Sequence, residues 1–457
     1  MYKVAVVFKV GPTDTGVNTD GQGFARSNPY EFSTHTLTGA GVNVESLVRQ
    51  LRALRLQPSE DVMDLLVLAT AVFTADTTIS RLHYSQDSWT REITLFVPVL
   101  HPAIWQPQQQ AIQEILQFLT GDYWTIVFRS RTDPAFELAP PAVYTKRHSG
   151  FNAQPTDVCL FSGGLDSFIG AVDLVNQGRI PLLVGHYKSS DVSPFQKSSY
   201  EALQQHYPTV PIRRFKAYIR APKDLSLGVR GDEKTERGRS FLFFALGLVC
   251  AQALGPTVPL IVPENGLISL NLPLTLTRQG AYSTRTTHPS YLLRMNALVR
   301  ALGIPNLIEN PYQFQTKGEM LQHCADPGFA AQAGTMSCSH PATRRASTTG
   351  YGNRHCGYCV PCVIRSAAFY KAGLHDASPD RGGIVGASKF LDTSKSEGAD
   401  VMAFKYMLEM RRRHPNYVAS AIRLTGPLPA ADVPAYVAMY NRGLDEVEAF
   451  VRRVKLT

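Results

Sequence analysis

Between Asp157 and about residue 320, short uninterrupted apolar runs alternate with helix-length stretches: "VCLF", a helix from Ser167, "IPLLVGHY", a helix from Ser198 to His206, "IRRFKAYI", the apolar helix "RSFLFFALGLVCAQAL" and the strand feeding "PLIVPENG". Strands that are apolar at every position need cover on both faces, and parallel strands joined by crossover helices obtain it. The pattern therefore predicts an α/β fold, a doubly wound parallel sheet. Residues 1–145 carry strand-like runs ("YKVAVVFKV", "DLLVLATAVF", "REITLFVPVL", "YWTIVFRSR") and helix-like ones ("NVESLVRQLRALRL", "QQQAIQEILQFL"), which predict a separate N-terminal α/β or α+β module. A linker is expected over 146–156, following the paired Pro140 and Pro141, with the central domain over 157–375. Residues 376–457 read as a helical C-terminal extension; "GADVMAFKYMLEMRRR" and "GLDEVEAFVRRV" repeat apolar residues every three to four positions and are expected to pack on the main domain.

The loop in "DVCLFSGGLDSFIG" lies where an open parallel sheet binds ligands, at the carboxyl end of a strand and the start of a helix. Such a helix aims free N–H groups and a partial positive charge at an anion. Gly163 and Gly164 let the backbone approach closely, and Ser162 and Ser167 add hydroxyls. A nucleotide pyrophosphate is the expected ligand. Asp166 would repel it unless the carboxylate binds Mg²⁺ or caps helix N–H groups. The chain has no G-x-x-x-x-G-K-[ST], which excludes the loop that hands a γ-phosphate to an acceptor.

Four of the seven cysteines crowd between Cys338 and Cys362, with Cys356, Cys359 and Cys362 spaced C-x-x-C-x-x-C. Zn²⁺ takes four thiolates tetrahedrally, and the spacing predicts a closed structural site on Cys338, Cys356, Cys359 and Cys362. A redox pair is the alternative, but a third cysteine at the same step favours metal. His340 and His355 could substitute for a cysteine but are expected beside the site or at the surface, and Cys159, Cys250 and Cys324 as small buried hydrophobes.

"SGGLDS" between strand and helix resembles the PP-loop of the ATP pyrophosphatase superfamily, whose members cleave ATP between the α and β phosphates to adenylate a carboxylate or carbonyl. Together with "TMSCS" and "HCGYCVPCVIRSAAF", it resembles the 7-cyano-7-deazaguanine synthase (QueC) family over roughly residues 155–375. The resemblance implies adenylation of 7-carboxy-7-deazaguanine, attack by ammonia, dehydration to a nitrile, and a four-cysteine zinc. It also implies ATP binding by Ser162, Gly163, Gly164, Leu165, Asp166, Ser167 and Arg239, and catalytic roles for Ser162, Asp166, Ser167 and Lys317. Glu264 and Asn265, from "VPENG", would bind the substrate. In "TKGEM", Thr316 and Glu319 form a capping box that leaves Lys317 free for a carboxylate or phosphates.

The chain departs from the biosynthetic enzymes in length, and "STRTTHPSYLLRMN" puts Thr287 and His288 where a different substrate segment is usual. In layout it is similar to QueC-like proteins of the Qat and type IV CBASS anti-phage operons. That likeness implies a partner protein's N-terminal amine as nucleophile and an N-terminal module that holds the partner. The competing readings are ammonia-using nitrile synthesis, a PP-loop tRNA-modifying enzyme, and a non-catalytic nucleotide-binding subunit. The net charge of +9 comes without a lysine-rich stripe, so nucleic acid is not favoured. No membrane span is expected, because Gly255, Pro256 and Pro259 interrupt the longest uncharged run, and the chain reads as cytoplasmic. His186, His288 and His323 are the candidate general bases.

Overall fold

The computed structural model describes residues 3–33, 41–140, 150–187, 193–221, 233, 235–274, 285–339, 354–378, 383–385 and 390–457. Two five-stranded sheets, both entirely parallel, dominate them. The first contains β1 (Val4–Val10), β2 (Arg26–Ser33), β3 (Gly41–Asn43), β4 (Glu92–Val99) and β5 (Tyr123–Ser130), in the order β3-β2-β1-β4-β5. Its helices are α1 (Glu45–Ala53), α2 (Glu60–Thr78), α3 (Arg81–Tyr84), α4 (Pro102–Trp105) and α5 (Gln109–Thr120).

"DLLVLATAVF", expected as a strand, is the interior of α2. Ser59 Oγ accepts from the Val62 N–H, and Glu60 and Asp61 place negative charge in the first turn, which starts a helix there. From Val62 to Asp76 every residue is buried, so no polar face breaks the apolar run and helix cannot be told from strand by periodicity. β2, "RSNPYEFS", lacks an apolar run and was not foreseen from the sequence; it pairs in register with β1, Tyr30 opposite Phe8.

The second sheet contains β6 (Asp157–Leu160), β7 (Pro181–Tyr187), β8 (Arg213–Tyr218), β9 (Leu260–Ile261) and β10 (Ile308–Glu309), in the order β10-β9-β6-β7-β8. This is the doubly wound arrangement expected, and the reversal of strand order falls between β6 and β9. The crossovers carry α6 (Leu165–Asn176), α7 (Ser193–His206), α8 (Arg239–Leu254), α9 (Gly266–Leu270) and α10 (Pro289–Ala301). α6 begins two residues before the expected Ser167. α7 begins five before Ser198, with Pro194 in its first turn, where proline costs no helical hydrogen bond.

The remaining elements are α11 (Lys317–His323), α12 (Pro327–Gln332), α13 (Val360–Ala372), β11 (Phe390–Leu391), α14 (Ser396–Arg413), α15 (Tyr417–Ala421), α16 (Val433–Val451) and β12 (Lys455–Leu456). The C-terminal extension is helical as expected, closed by the short parallel pair β11 and β12. α14, α15 and α16 form a core with α13 and with Leu267 and Leu270 of α9, so the extension packs directly behind the elements that follow β9.

The two sheets share one core. It runs from Phe8 and Phe32 through Leu65, Val72 and Phe73 of α2 to Phe241, Leu248 and Leu160, with α2 packed on α8. Four buried charges sit at this junction. Arg81 and Arg91 pair with Asp76 and Asp122, and Asp76 Oδ2 also accepts from Gly238 N at 2.7 Å, directly before α8. The second carboxyl-end crevice, beside β1, is filled by the chain itself: Phe136 lies against Gly11, and Leu138 N and Ala139 N donate to Glu60 Oε1.

Candidate functional site

The "SGGLDS" loop joins β6 to α6 at the reversal of strand order. Gly163 has φ +82°, and a Cβ there would lie 2.9 Å from Gln196 N of α7, so both conformation and space demand glycine. Gly164 is the N-cap of α6. The N–H groups of Leu165, Asp166 and Ser167 form the first turn and have no intrahelical acceptor. Ser167 Oγ donates to Gly164 O at 3.0 Å and lies 3.2 Å from Ser162 Oγ, which accepts from Gly164 N. Both hydroxyls are thus held in the mouth of the loop.

Asp166 neither caps its own helix nor stands alone. Its Oδ1 accepts from Lys317 Nζ at 2.5 Å, and its Oδ2 accepts from Asn265 Nδ2 at 2.7 Å and Asn265 N at 3.2 Å. Asn265 Nδ2 also donates to Glu264 Oε1 at 3.0 Å, while Asn265 Oδ1 caps α9 by accepting from Ile268 N. The expected capping box of Thr316 and Glu319 is present at α11, but Lys317 is not left free: it is buried against Asp166. Four residues expected to act separately, Asp166, Glu264, Asn265 and Lys317, form one constellation.

Burial would raise the Asp166 carboxyl, but the Lys317 charge and the bonds from Glu264, Lys317 and Asn265 hold it below its usual value. Burial and the neighbouring Asp166 charge push Glu264 well up. Asp166 is thus held toward its charged form beside Lys317, and Glu264 toward its neutral form. This removes the electrostatic objection to an anion at the loop, since Asp166 no longer presents an uncompensated charge.

Arg239 opens α8, and its Nη1 pairs with Glu236 Oε2 at 3.5 Å. Its Nε donates to His186 Nδ1 and its Nη2 to His186 O, each at 3.3 Å. The other ring nitrogen of His186 bonds Ile219 O at 2.9 Å, so both nitrogens are engaged and the ring is a poor general base. Thr287 Oγ1 lies 2.9 Å from Ser269 Oγ, which accepts from Asn310 Nδ2, and Asn310 Nδ2 also donates to Glu264 O. Thr287 is thus linked to the constellation through two side chains.

His288 is a correction. Its Nδ1 accepts from Ser290 N, capping α10, and its Nε2 bonds Thr425 Oγ1 at 2.9 Å, so the buried ring joins α10 to the C-terminal extension and has no atom left for a substrate. Burial and nearby Arg285 lower it to about 3, keeping it neutral. His323 is exposed in the last turn of α11, and His340 lies outside the described residues.

Cys338, Cys356, Cys359 and Cys362 converge with all four sulfurs within 4.8 Å of one another. The Cys338–Cys359 and Cys356–Cys362 separations are both 3.9 Å, close to the ~3.8 Å edge of a tetrahedron with metal–sulfur bonds of about 2.3 Å. Cys356 N and Cys359 N donate to Cys338 Sγ and Cys356 Sγ, and Gly357 takes φ +86° to turn the chain between them. Within this cluster the bonds between the sulfurs lower Cys338, Cys356 and Cys359 to about 7 and push Cys362 well up. The four cysteines fit Zn²⁺. His355 lies beside them, Nδ1 at 3.6 Å from Cys362 Sγ. Cys159, Cys250 and Cys324 are buried elsewhere.

The cluster is tied to the loop. Met336 N, two residues before Cys338, donates to Gly163 O at 2.8 Å. Arg365, three residues after Cys362, donates to Thr335 Oγ1 and Ser337 Oγ and is paired with Asp376. Sequence reasoning missed Gln196 and Asn310, which belong to no spaced motif, and gave no role to Arg365, although it lies within the cysteine motif; their roles arise from contacts distant in the chain.

No family model matches the chain, and no curated protein matches it significantly. Among the described residues no helix is long and apolar enough to cross a membrane.

Proposed function

We propose that this protein is an ATP-dependent carbon–nitrogen ligase that adenylates a carboxylate, releases pyrophosphate and forms an amide. The observation carrying the reading is the Asp166–Lys317 pair, clamped by Asn265 and set behind the "SGGLDS" loop where the strand order reverses. The loop N–H groups and the Ser162 and Ser167 hydroxyls are suited to hold the departing pyrophosphate. Both Asp166 oxygens are engaged by Lys317 and Asn265, so Mg²⁺ arriving with ATP would be held chiefly by the phosphates it neutralises. Lys317, held against Asp166 beside the loop, is suited to orient a carboxylate against the α-phosphorus, and Arg239 is the further cation the resemblance implies for ATP.

By resemblance the acid is 7-carboxy-7-deazaguanine. The carboxylate oxygen attacks the α-phosphorus, pyrophosphate leaves, and an amine nitrogen then displaces AMP from the activated carbonyl. We infer that the amine is the N-terminus of a partner protein, as the likeness to anti-phage QueC-like proteins implies. An amide nitrogen carrying a chain cannot be dehydrated to a nitrile, so that reaction ends at the conjugate. Zn²⁺ held by Cys338, Cys356, Cys359 and Cys362 would have a structural role, steadying the segment whose Met336 N–H bonds Gly163 O.

ATP–pyrophosphate exchange tests the reading. Exchange that requires 7-carboxy-7-deazaguanine and is lost in Asp166→Ala supports it; no exchange with any carboxylate, in protein that binds ATP, overturns it. A mass increase on a partner protein, against formation of a nitrile, separates conjugation from the ammonia reaction.

A further inference from the structure

The C-terminal extension reaches the site from behind through one face of α16. Gly443 lies against Leu267 of α9, where a Cβ would come within 2.1 Å of the leucine, and Met439 lies against Gly266. One turn on, Glu446 reaches α11: its Oε1 accepts from Thr316 Oγ1 at 2.5 Å and its Oε2 from Gly318 N at 3.2 Å. These are the two residues flanking Lys317. Gly318 has no room for a side chain, since a Cβ would meet the Glu446 carboxylate at 2.6 Å. Tyr436 Oη and Arg442 add bonds to Gln313 Oε1, Phe314 O and Glu319, so α16 grips residues 313–319 along its length.

The geometry points to Glu446 as a positioning residue for Lys317: its carboxylate holds the Thr316 hydroxyl on one side of the lysine and the Gly318 N–H on the other, and so aims Nζ at Asp166. This inference rests on the reading of Lys317 as a site cation and assigns the extension a part in that site. Among the described residues, the other bonds of Thr316 N and Oγ1 are those of the local capping box with Glu319. The charged groups around Glu446 are Glu319, which repels it, and Lys371 and Arg442, which attract it. Arg442 is itself paired with Glu319, leaving Glu446 to serve the α11 backbone.

The test uses the full-length parent, Glu446→Ala, Glu446→Gln and Arg442→Ala, the last breaking a different α16 bond. Two readouts are needed. Acetic anhydride labelling of Lys317, read by peptide mass spectrometry, is independent of activity. It is expected to rise severalfold in E446A and to stay at the parent level in E446Q and R442A. In ATP–pyrophosphate exchange, E446A is expected to lose about 10–100-fold in turnover with the KM for ATP little changed, and E446Q to retain most of it. Unchanged Lys317 labelling in folded E446A overturns the inference, as does equal labelling in E446A and R442A. If the parent itself shows no exchange, the proposed reaction fails, while the labelling still decides whether Glu446 positions Lys317.

Discussion

Replacing Lys317 by methionine removes the ammonium 2.5 Å from Asp166 Oδ1 while keeping a long, unbranched side chain. The two side chains are only 5% and 7% exposed, so water does not take the place of the lost partner. Stripping one member of a buried pair costs about 3–5 kcal/mol. With an unfolding entropy of about 2.1 cal/mol/K per residue, a 457-residue chain melting as one unit loses ~1 kcal/mol per degree, so the midpoint should fall by about 3–5 °C. The bonds from Asn265 survive the substitution and favour the lower end. The pH dependence is the sharper measurement. In the parent, the folded Asp166 carboxyl lies below its unfolded value; its stabilisation is present above that unfolded value, about pH 4, and is lost as pH falls through the folded one. Without the ammonium the buried carboxyl rises and takes up a proton on acidification before the unfolded chain does. The deficit of K317M should therefore be largest at pH 8 and shrink toward pH 5. Thermal scans of the parent, K317M, D166N and the double variant at both pH values measure it, and the double variant should recover at least half of the loss. A deficit equal at both pH values, or strict additivity in the double variant, would refute the pairing as the origin of the effect.

Gly163→Ala places a methyl group 2.9 Å from Gln196 N at φ +82° and should cost about 1–3 kcal/mol together with most of the affinity for ATP, measured by melting and by calorimetric titration. Cys359→Ser should reduce the zinc content of the purified protein from one ion per chain to near zero, by elemental analysis, and speed amide exchange at Met336, whose N–H bonds Gly163 O. Asp122→Asn leaves Arg81 and Arg91 facing Asp76 alone and should destabilise by about 3–5 kcal/mol, seen as an earlier melting midpoint. Burial pushes Glu446 up to about 7, so the folded chain holds a proton that the unfolded one releases, and that contribution is present below about pH 4.5 and lost as pH rises through 7. E446Q should accordingly gain on the parent, by at most about 3 kcal/mol, as the pH of a melting series goes from 5 to 8.

The parts of this architecture written locally were legible in the sequence. The loop before α6, the apolar length of α8, the capping box at α11 and the four cysteines all depend on residues within a few positions of one another, or on a ligand set with fixed spacing. What was not legible depends on surroundings. α2 is buried on every side, and its run of apolar residues carries no trace of helical period. The length of Lys317 and its capping box suggested a free cation, yet its partner lies 151 residues away on another helix. His288 followed by proline resembled a site histidine, whereas Ser290 N and Thr425 use both of its nitrogens. The opposite shifts of Asp166 and Glu264 require knowing that β6 and β9 are neighbours, which is a property of the strand order alone.

The core common to both sheets has a consequence for biosynthesis. α2 is finished early, but the helix that covers it, α8, is not complete until Leu254 has been added. At about 5–20 residues per second, the chain needs roughly 10–35 s to grow from Thr78 to Leu254. For that interval the face of α2 that packs on α8 remains without its partner, and Asp76 lacks the Gly238 N–H from which it finally accepts. The first 150 residues therefore cannot complete their fold as they leave the ribosome. Expressed alone they should bind chaperones or aggregate, and supplying residues 150–457 as a second polypeptide during synthesis should rescue them.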